Sequence, residues 1–390
     1  MKRPALLQRF LLATAIAVAA VAASAGRAEA GAYVQTNLVS DGFLPAELVD
    51  SSLVNPWGVS RSATSPFWTS NQGTSTASLF NVSVTPPVKN PTVAPNIPPG
   101  GVTVGPTGQV NNGNMSSFLV GNGGDNMFAH FIFANLNGTI SAWDTGPMAF
   151  IQPAATIPGA VYTGLAINSA QTLLYAANDA GTGSIIVFGS TFVPVPLSPT
   201  AFATPAAISA RGLVPFNVQD IGGQVYVTYA PSGRPAQQNA TLGQGAVAIF
   251  DESGNLVKIL INSATSDLAA PWGVALAPAG FGMFSDDLLV GNFSYINSEI
   301  NAYDPTMGAL LGTIPIDDGG AHGGLWALDF GNAGQNGSPN TLYFTDGVDG
   351  EMHGLFAALT PAVPEPSSLA LLAAALGVFG IRRVRSRRQI

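Results

Sequence analysis

The chain contains no cysteine. This absence excludes disulfide bonds, thiol catalysis and cysteine-ligated metal centres. Charge is scarce as well, since only 9% of the 390 residues are charged and three are histidine. No Gly-x-Ser-x-Gly nucleophile turn, His-Glu-x-x-His zinc motif, phosphate-binding loop or calcium-binding EF-hand loop occurs. The sequence therefore assigns no catalytic residue.

Basic residues are almost missing between the two ends of the chain. Nine of the 14 lie at the ends, whereas only Glu29 and Glu365 of the 22 acidic residues lie there. The remaining part, residues 31–360, thus holds five basic and 20 acidic residues, a formal charge of −15. Because binding to nucleic acid requires clustered lysine and arginine, this charge excludes a nucleic-acid partner.

Residues 1–30 have the features of a secretory signal peptide. Three basic residues precede residue 10, and an apolar stretch covers residues 10–23. Ala28 and Ala30 form the small-x-small cleavage site, with residues 23–25 as a second choice. The alternative is a membrane anchor, although the stretch is short for the roughly 20 residues that a spanning helix needs.

Residues 361–390 form a second addressing segment. Val363, Pro364, Glu365 and Pro366 precede an apolar run and five arginines. This order resembles the PEP-CTERM signal of Gram-negative bacteria. The resemblance implies an exosortase-type partner, a short transmembrane helix that holds the protein at the inner membrane before processing, and sorting to the cell envelope or extracellular matrix. The alternative is a plain C-terminal anchor, and the sequence leaves open whether the tail is cleaved.

The part between these segments is rich in glycine (45 in the chain), proline (29) and hydrophobic residues (47%). Disordered chains lack such apolar content. Short buried strands joined by turns have this composition. We therefore expect an all-β fold.

The same part repeats every 53 residues or so. Trp57-Gly58 and Trp272-Gly273 are 215 positions apart, and Trp326 follows Trp272 by 54. Self-similarity at 40–55 residues with about four strands per unit indicates a β-propeller. Six units fill residues 31–360, which predicts an all-β, six-bladed, NHL-like propeller. A β-sandwich or two β domains would not require this period.

Two irregular segments modify the repeat. The last unit lacks an outer strand, and residues 33–41 resemble the outer strand of the fourth unit. We therefore expect this N-terminal strand to pair with the last blade and close the ring, which would remove an exposed edge. Residues 234–244 form a polar insertion in the fourth unit, expected to decorate the surface.

With these units in place, the chain resembles a family of exported, propeller-like bacterial proteins of unknown function that often carry a PEP-CTERM tail. The stretches that carry the resemblance are residues 36–41, 55–58, 66–68, 131–133, 138–143, 342–345 and 353–356. The resemblance implies a propeller but no activity. NHL-like propellers include both binding modules and hydrolases, and fold alone does not fix function.

Small polar residues end the second strand of most units, and we expect them to meet at one rim of the ring. The candidates for ligand or metal binding are Asn71, Asn135, Asn178, Asp179, Asn292, His322 and Asp346. Asparagine and aspartate oxygens suit Ca²⁺, which takes about 6–8 oxygen ligands. A resemblance to calcium-dependent lactonase-like propellers implies the same site. The alternative is that these residues only form turns. No cofactor is certain.

The expected function is an exported surface or matrix propeller that binds a glycan, a protein or a small molecule at this rim. Exopolysaccharide and surface proteins are the candidate partners. The alternative is a Ca²⁺-dependent hydrolase or lactonase acting at the same rim. The lack of a catalytic motif favours the non-enzymatic interpretation.

Overall fold

A computed structural model describes residues 33–91, 95–101, 103–121, 126–320 and 323–362. Gln35–Thr360 form one compact unit. The second unit, Met1–Val34 with Pro361–Ile390, contributes only residues 33–34 and 361–362 to this description. The predicted signal peptide, with Ala28 and Ala30, and the predicted C-terminal hydrophobic helix lie outside the described residues. Within the described part, no helix is long and apolar enough to cross a bilayer.

The described chain opens with two strands and then builds its first three blades. The opening strands are β1 (Tyr33–Ser40) and β2 (Leu48–Val49). Blade one contains β3 (Pro56–Ser60), β4 (Phe67–Asn71), β5 (Thr76–Asn81) and β6 (Val88–Lys89). Blade two contains β7 (Pro106–Asn111), β8 (Phe131–Asn135), β9 (Ile140–Trp143) and β10 (Phe150–Ile151). Blade three contains β11 (Tyr162–Ile167), β12 (Leu173–Asn178) and β13 (Ser184–Gly189).

The second half repeats the plan and adds three short helices. Helix α1 (Ala206–Ser209) precedes blade four, which contains β14 (Leu213–Ile221), β15 (Gln224–Pro231), helix α2 (Arg234–Gln238), β16 (Ala246–Asp251) and β17 (Leu256–Ile261). Blade five contains β18 (Pro271–Leu276), β19 (Leu288–Asn292), β20 (Glu299–Tyr303) and β21 (Leu310–Pro315). Blade six contains β22 (Gly324–Phe330), β23 (Leu342–Gly347), helix α3 (Val348–Glu351) and β24 (Leu355–Pro361).

These blades form a closed ring of six antiparallel sheets, which confirms the six-bladed propeller. The first strand of each blade contacts the first strand of the next, from β3 through β7, β11, β14, β18 and β22 back to β3. In blade six the strand order is β2-β1-β24-β23-β22. The N-terminal strand β1 therefore supplies the missing outer position, and the predicted ring closure is confirmed.

The aromatic-glycine motif of the repeat marks a β-bulge in each inner strand. Pairing with the second strand shifts register at this point in all six blades. A side chain at Gly58 would place its Cβ 2.5 Å from the Thr107 carbonyl oxygen of the next blade, and at Gly273 2.4 Å from the Trp326 carbonyl oxygen. Glycine is needed at both places because neighbouring backbones approach closely there.

Hydrophobic side chains fill the spaces between consecutive blades. One such cluster joins blades two and three around Ile132, Tyr162 and Phe188, and another joins blades three and four around Tyr175 and Val227. Because each sheet is covered on both faces, its strands are apolar along nearly their whole length.

The inner strands surround a channel with two ends. All six inner strands run in the same direction along this channel, so their first residues lie at one end and their last residues at the other. We call the end where they begin the upper mouth and the end where they finish the lower mouth. The turns between second and third strands lie at the upper mouth, because those strands are antiparallel to their neighbours.

Candidate functional site

The lower half of the channel is a polar cavity of about 270 Å³. All six inner strands contribute to its wall, and mainly polar atoms face it. The polar residues that line it are Ser60, Arg61, Gln109, Asn111, Gln171, Asn217, Gln219, Asp220 and Asp329. Because convergent polar groups in a concave site can orient a small ligand, this cavity is the best candidate for binding.

An ion pair lies at the lower mouth between blades one and six. Arg61 Nη2 lies 3.4 Å from Asp329 Oδ1, and Arg61 Nε donates to the carbonyl oxygen of Phe330 at 2.6 Å. The two side chains retain 22% and 30% of their accessible surface, so both remain within reach of a molecule in the cavity. Arginine can give several directed hydrogen bonds at once.

Two aspartates of the cavity have raised pKa values. Burial raises the pKa of Asp329 to about 6, and Arg61 opposes the rise. Burial also raises the pKa of Asp220 to about 6, together with the nearby carboxylate of Glu252, while the Gly223 N–H that donates to Asp220 Oδ1 at 3.1 Å opposes it. Both carboxyl groups therefore titrate close to neutral pH and can accept or donate hydrogen bonds.

Gln109 lines this cavity and has one acceptor without a partner, which is buried behind the cavity wall. Its Nε2 donates to the carbonyl oxygens of Gly58 and Trp68, each at 2.8 Å, which fixes the side chain. Its Oε1 is buried and has no hydrogen-bond partner among the described residues. A buried acceptor without a partner costs free energy, so this oxygen is a polar group that the fold leaves unsatisfied.

Five aromatic side chains close the channel above the cavity. Trp57 stacks on Trp326 with ring centroids 3.6 Å apart, and Phe293 also stacks on Trp326, at 4.2 Å. Trp272 meets Trp326 edge to face at 5.6 Å, and Phe216 packs against the same cluster. Trp272 also lines the cavity. The ring of Trp272 therefore bounds the upper end of the lower cavity.

Arg234 covers this aromatic cluster from the upper mouth. Its Cζ lies 4.9 Å from the centroid of Trp57, 4.5 Å from Phe293 and 5.1 Å from Trp326. A guanidinium within about 6 Å of an aromatic face is attracted by the ring. The same guanidinium pairs with Glu351. The predicted polar insertion at residues 234–244 holds Arg234, and its helix α2 lies over the channel.

Glu351 connects four elements at the upper mouth. Besides Arg234, it accepts hydrogen bonds from Asn55 Nδ2 at 3.0 Å, Gln238 Nε2 at 3.0 Å and Tyr295 Oη at 2.6 Å. Burial and this carboxylate raise the pKa of Tyr295. The network holds the connections of blades one, four, five and six together.

The four predicted rim asparagines lie at the upper mouth, each bonded within its own blade or the adjoining link. Asn71 Nδ2 donates to Ser78 Oγ at 2.9 Å, and Asn135 Nδ2 donates to Ser141 Oγ at 3.1 Å. Further partners belong to the link before the blade. Asn178 Oδ1 accepts from the Val161 N–H at 2.9 Å, and Asn292 Oδ1 from the Ala269 N–H at 2.9 Å. These contacts tie each turn to its blade; a role in ligand or metal binding stays a prediction.

The two predicted rim aspartates differ from the asparagines. Asp179 Oδ2 accepts from the Gly233 N–H at 3.3 Å. Burial raises its pKa to about 6, while Gln237, Gly233 and Arg234 oppose the rise. Asp346 is fully buried, and neither of its oxygens has a hydrogen-bond partner among the described residues. Burial raises its pKa to about 8, with further contributions from the charges of Asp318 and Glu351.

The structure therefore brings Asp179 close to Arg234 and Asp346 close to Glu351, while each asparagine stays with its own blade or the link before it. His322 lies outside the described residues, as do Val363, Pro364, Glu365 and Pro366. Among the residues that the structure does describe, no group of three or more histidine, aspartate and glutamate side chains could hold a metal ion. Ca²⁺ binding stays a prediction.

Sequence reasoning missed the lower cavity. Arg61, Asp220 and Asp329 all follow the aromatic of the inner-strand motif by three or four positions. The inner strands are otherwise mostly apolar, so charged residues at the same position of several repeats were the sequence signal for this cavity.

Comparison with protein families matches residues 362–388 to the PEP-CTERM protein-sorting motif. This motif implies export, sorting to the cell envelope and processing by an exosortase. Fold and motif together define a six-bladed β-propeller with a PEP-CTERM sorting signal, as predicted.

Two viral proteins and one solved structure are similar to the chain. An uncharacterised protein of Acanthamoeba polyphaga mimivirus is 26% identical over 340 residues, which cover 83% of this chain and 78% of that protein. A second uncharacterised mimivirus protein is 26% identical over 215 residues, 53% of this chain and only 38% of its own length. A structure of a Bacteroides thetaiotaomicron protein of unknown function superposes with a TM-score of 0.51 at 10% identity, covering 84% of this chain and 76% of that one. The structural likeness concerns the fold alone.

Proposed function

We propose that this protein is a binding module of the cell surface or extracellular matrix, and that it takes a small uncharged polyhydroxy ligand in the lower cavity. The observation that carries the proposal is the polar cavity itself, to which all six inner strands contribute and which Arg61, Asp220, Asp329 and the ring of Trp272 line. Sugar hydroxyls both donate and accept hydrogen bonds, and this wall offers both kinds of group.

The charges of the cavity favour a neutral ligand. Arg61 pairs with Asp329, and Asp220 adds a second carboxyl group. An anion would meet two carboxyl groups, whereas a cation would have to compete with Arg61. A ligand of about monosaccharide size, with an apolar face toward Trp272 and hydroxyls toward the wall, suits this arrangement.

The address of the proposed module follows from both ends of the chain. We place the signal peptide at residues 1–30, the propeller at 31–360 and the sorting segment at 361–390. A Gram-negative source, transient anchoring in the inner membrane and contact with exopolysaccharide or surface proteins belong to the same proposal. The sorting motif at residues 362–388 supports it.

Calorimetric titration of the purified chain with glucose, galactose and N-acetylglucosamine tests the binding function. We expect one of these sugars to bind, and Asp329→Asn and Arg61→Ala to weaken that binding about tenfold or more, the loss of one charge-assisted hydrogen bond. Lys258→Ala, on the outer strand β17, is the matched control. Failure of all three sugars to bind, or equal binding by every variant, would contradict the proposal.

Hydrolysis is the second candidate function. It is favoured by the two cavity carboxyl groups whose pKa values are raised to about 6, since general acids and bases work best near the ambient pH. Turnover of nitrophenyl glycosides and of a δ-lactone, compared between the wild type and Asp329→Asn, tests it. Thermal melts with EDTA and then with added Ca²⁺ test the metal-dependent form at the upper rim, where loss of the shift in Asp346→Ala would support it.

A further inference from the structure

The connection between the second and third strands of blade four is longer than the fold requires. It spans residues 232–245, which is 14 residues, whereas the other five blades make the same connection with four to seven. We call residues 232–245 the strap. Because five blades fold without such a segment, the reason for the strap lies in what it covers.

The strap inserts one arginine into a box built by the ring. The walls of this box are the faces of Trp57, Phe293 and Trp326, all within 5.1 Å of the Arg234 Cζ. Glu351 closes the side of the box and pairs with the guanidinium. Aromatic faces with a carboxylate beside them recognise cationic groups, and a planar guanidinium most of all.

The box continues into a cavity that the strap leaves open. This cavity has a volume of about 660 Å³ and lies beside Trp57, Arg234 and Glu351, with Val54, Leu136 and Met352 as its apolar wall. Space of this kind accommodates the aliphatic stem of a ligand whose charged head enters the box.

The two ends of helix α2 are held unequally. At its start, Gly233 has a φ of +86° and donates one hydrogen bond of 3.3 Å to Asp179. Beyond its end, the Tyr295 N–H donates to the Gln238 carbonyl oxygen at 3.0 Å and Ser294 Oγ donates to that of Ala240 at 2.6 Å. Besides this bond, the start of α2 is held by Arg234 itself, through Glu351 and the three rings. Displacing or replacing Arg234 therefore frees this end while the Gln238 end stays attached.

From these observations we propose that the upper mouth is a binding site for a guanidinium group on an aliphatic stem, filled in cis by Arg234 and in trans by an arginine-like ligand. This site is separate from the lower cavity and needs no part of the function proposed there. The strap acts as a competing intramolecular ligand. An external ligand can bind only while the box is free of Arg234. The apparent affinity is therefore the intrinsic affinity multiplied by the fraction of time for which the box is free.

The test measures tryptophan fluorescence of wild type, Arg234→Ala and the double variant Arg234→Ala/Glu351→Gln during titration with agmatine, a guanidinium on a four-carbon stem. We expect Arg234→Ala to bind agmatine at least about tenfold more tightly than the wild type. The reason is that Arg234 should leave the wild-type box free for less than about 10% of the time. The double variant should lose this gain, because the carboxylate is absent.

Peptides separate the sources of the ligand. If Arg234→Ala binds Gly-Arg-Gly but not Gly-Lys-Gly, the ligand is the arginine of a partner polypeptide. If it binds agmatine alone, the ligand is a free small molecule. Either result supports the site. Should Arg234→Ala not fold, Arg234→Gln is measured in the same way. A folded variant that binds neither agmatine nor the arginine peptide, or that binds them as weakly as the wild type does, would overturn the proposal.

Discussion

The two mouths of the channel each hold one arginine paired with one carboxylate, in opposite surroundings. At the upper mouth, Arg234 lies on three aromatic faces and pairs with Glu351, which accepts hydrogen bonds from three further side chains. At the lower mouth, Arg61 has a longer contact with Asp329 and faces a polar cavity. The same pair of charges thus packs against aromatic rings at one mouth and lines an open polar cavity at the other.

The aspartates show how far the surroundings differ. Asp346, near the upper mouth, is without exposed surface or hydrogen-bond partner among the described residues, and its pKa is about 8. Asp329, at the lower mouth, keeps 30% of its side-chain surface beside Arg61, and its pKa is about 6. At pH 7 the first is mainly protonated and the second mainly ionised, because only the second has a nearby cation to offset its burial.

The aromatic cluster that separates the mouths should give the largest effect. Trp326 is fully buried and stacks on two other rings. We expect Trp326→Ala to lower the free energy of unfolding by about 3–5 kcal/mol, as for other large aromatic side chains removed from a core. Urea unfolding measures the loss. Trp143→Ala, which removes a partly exposed tryptophan, is the control and should cost about 1 kcal/mol; equal losses would show that the cluster does not hold the channel closed.

The two arginines test the comparison directly. Arg234→Ala removes contacts to three rings and leaves Glu351, which is 11% exposed, without its cation. We expect a loss of about 2–3 kcal/mol. Arg61→Ala should cost about 1 kcal/mol, since its pair is longer and lines an open cavity. Urea unfolding of both variants measures the two losses. Arg234→Lys keeps the charge but not the planar guanidinium, so it shows how much of the loss comes from each. Equal losses would remove the distinction between a closing and a binding pair.

Asp346 should give the most pH-dependent effect. Its folded pKa of about 8 lies far above the value of about 3.9 in unfolded chains. Between these values the unfolded state binds fewer protons than the folded state, so stability falls as the pH rises toward 8. Asp346→Asn removes this dependence. We expect it to raise the free energy of unfolding, and to do so by more at pH 8 than at pH 5.

Urea unfolding at both pH values measures this change, and the exposed Asp286→Asn is the control. A variant that is less stable than the wild type at pH 8 would show that the carboxylate has a partner or a ligand at the upper mouth. That result would favour the predicted cation site.

Much of the fold was predictable because the repeat consists of residues that sheet geometry requires at fixed positions. Gly58 and Gly273 recur where neighbouring backbones approach within van der Waals contact, and Asn178 and Asn292 recur where a strand ends in a turn. The rim positions of these asparagines were also predictable, but not their partners. Those partners lie in the link that precedes the blade. They are 17 and 23 residues away along the chain, too far for a local sequence pattern to predict.

The sequence by itself determined the number of blades, the strand that closes the ring and the sorting signal, because each depends on local periodicity or on contiguous residues. Only the tertiary structure decided that Arg234 lies across the channel, that Arg61 and Asp329 meet although they are 268 positions apart, and that Asp346 is buried without a described partner. The reason is the ring itself, which places residues of distant blades around one axis, and their pKa values and contacts depend on that arrangement.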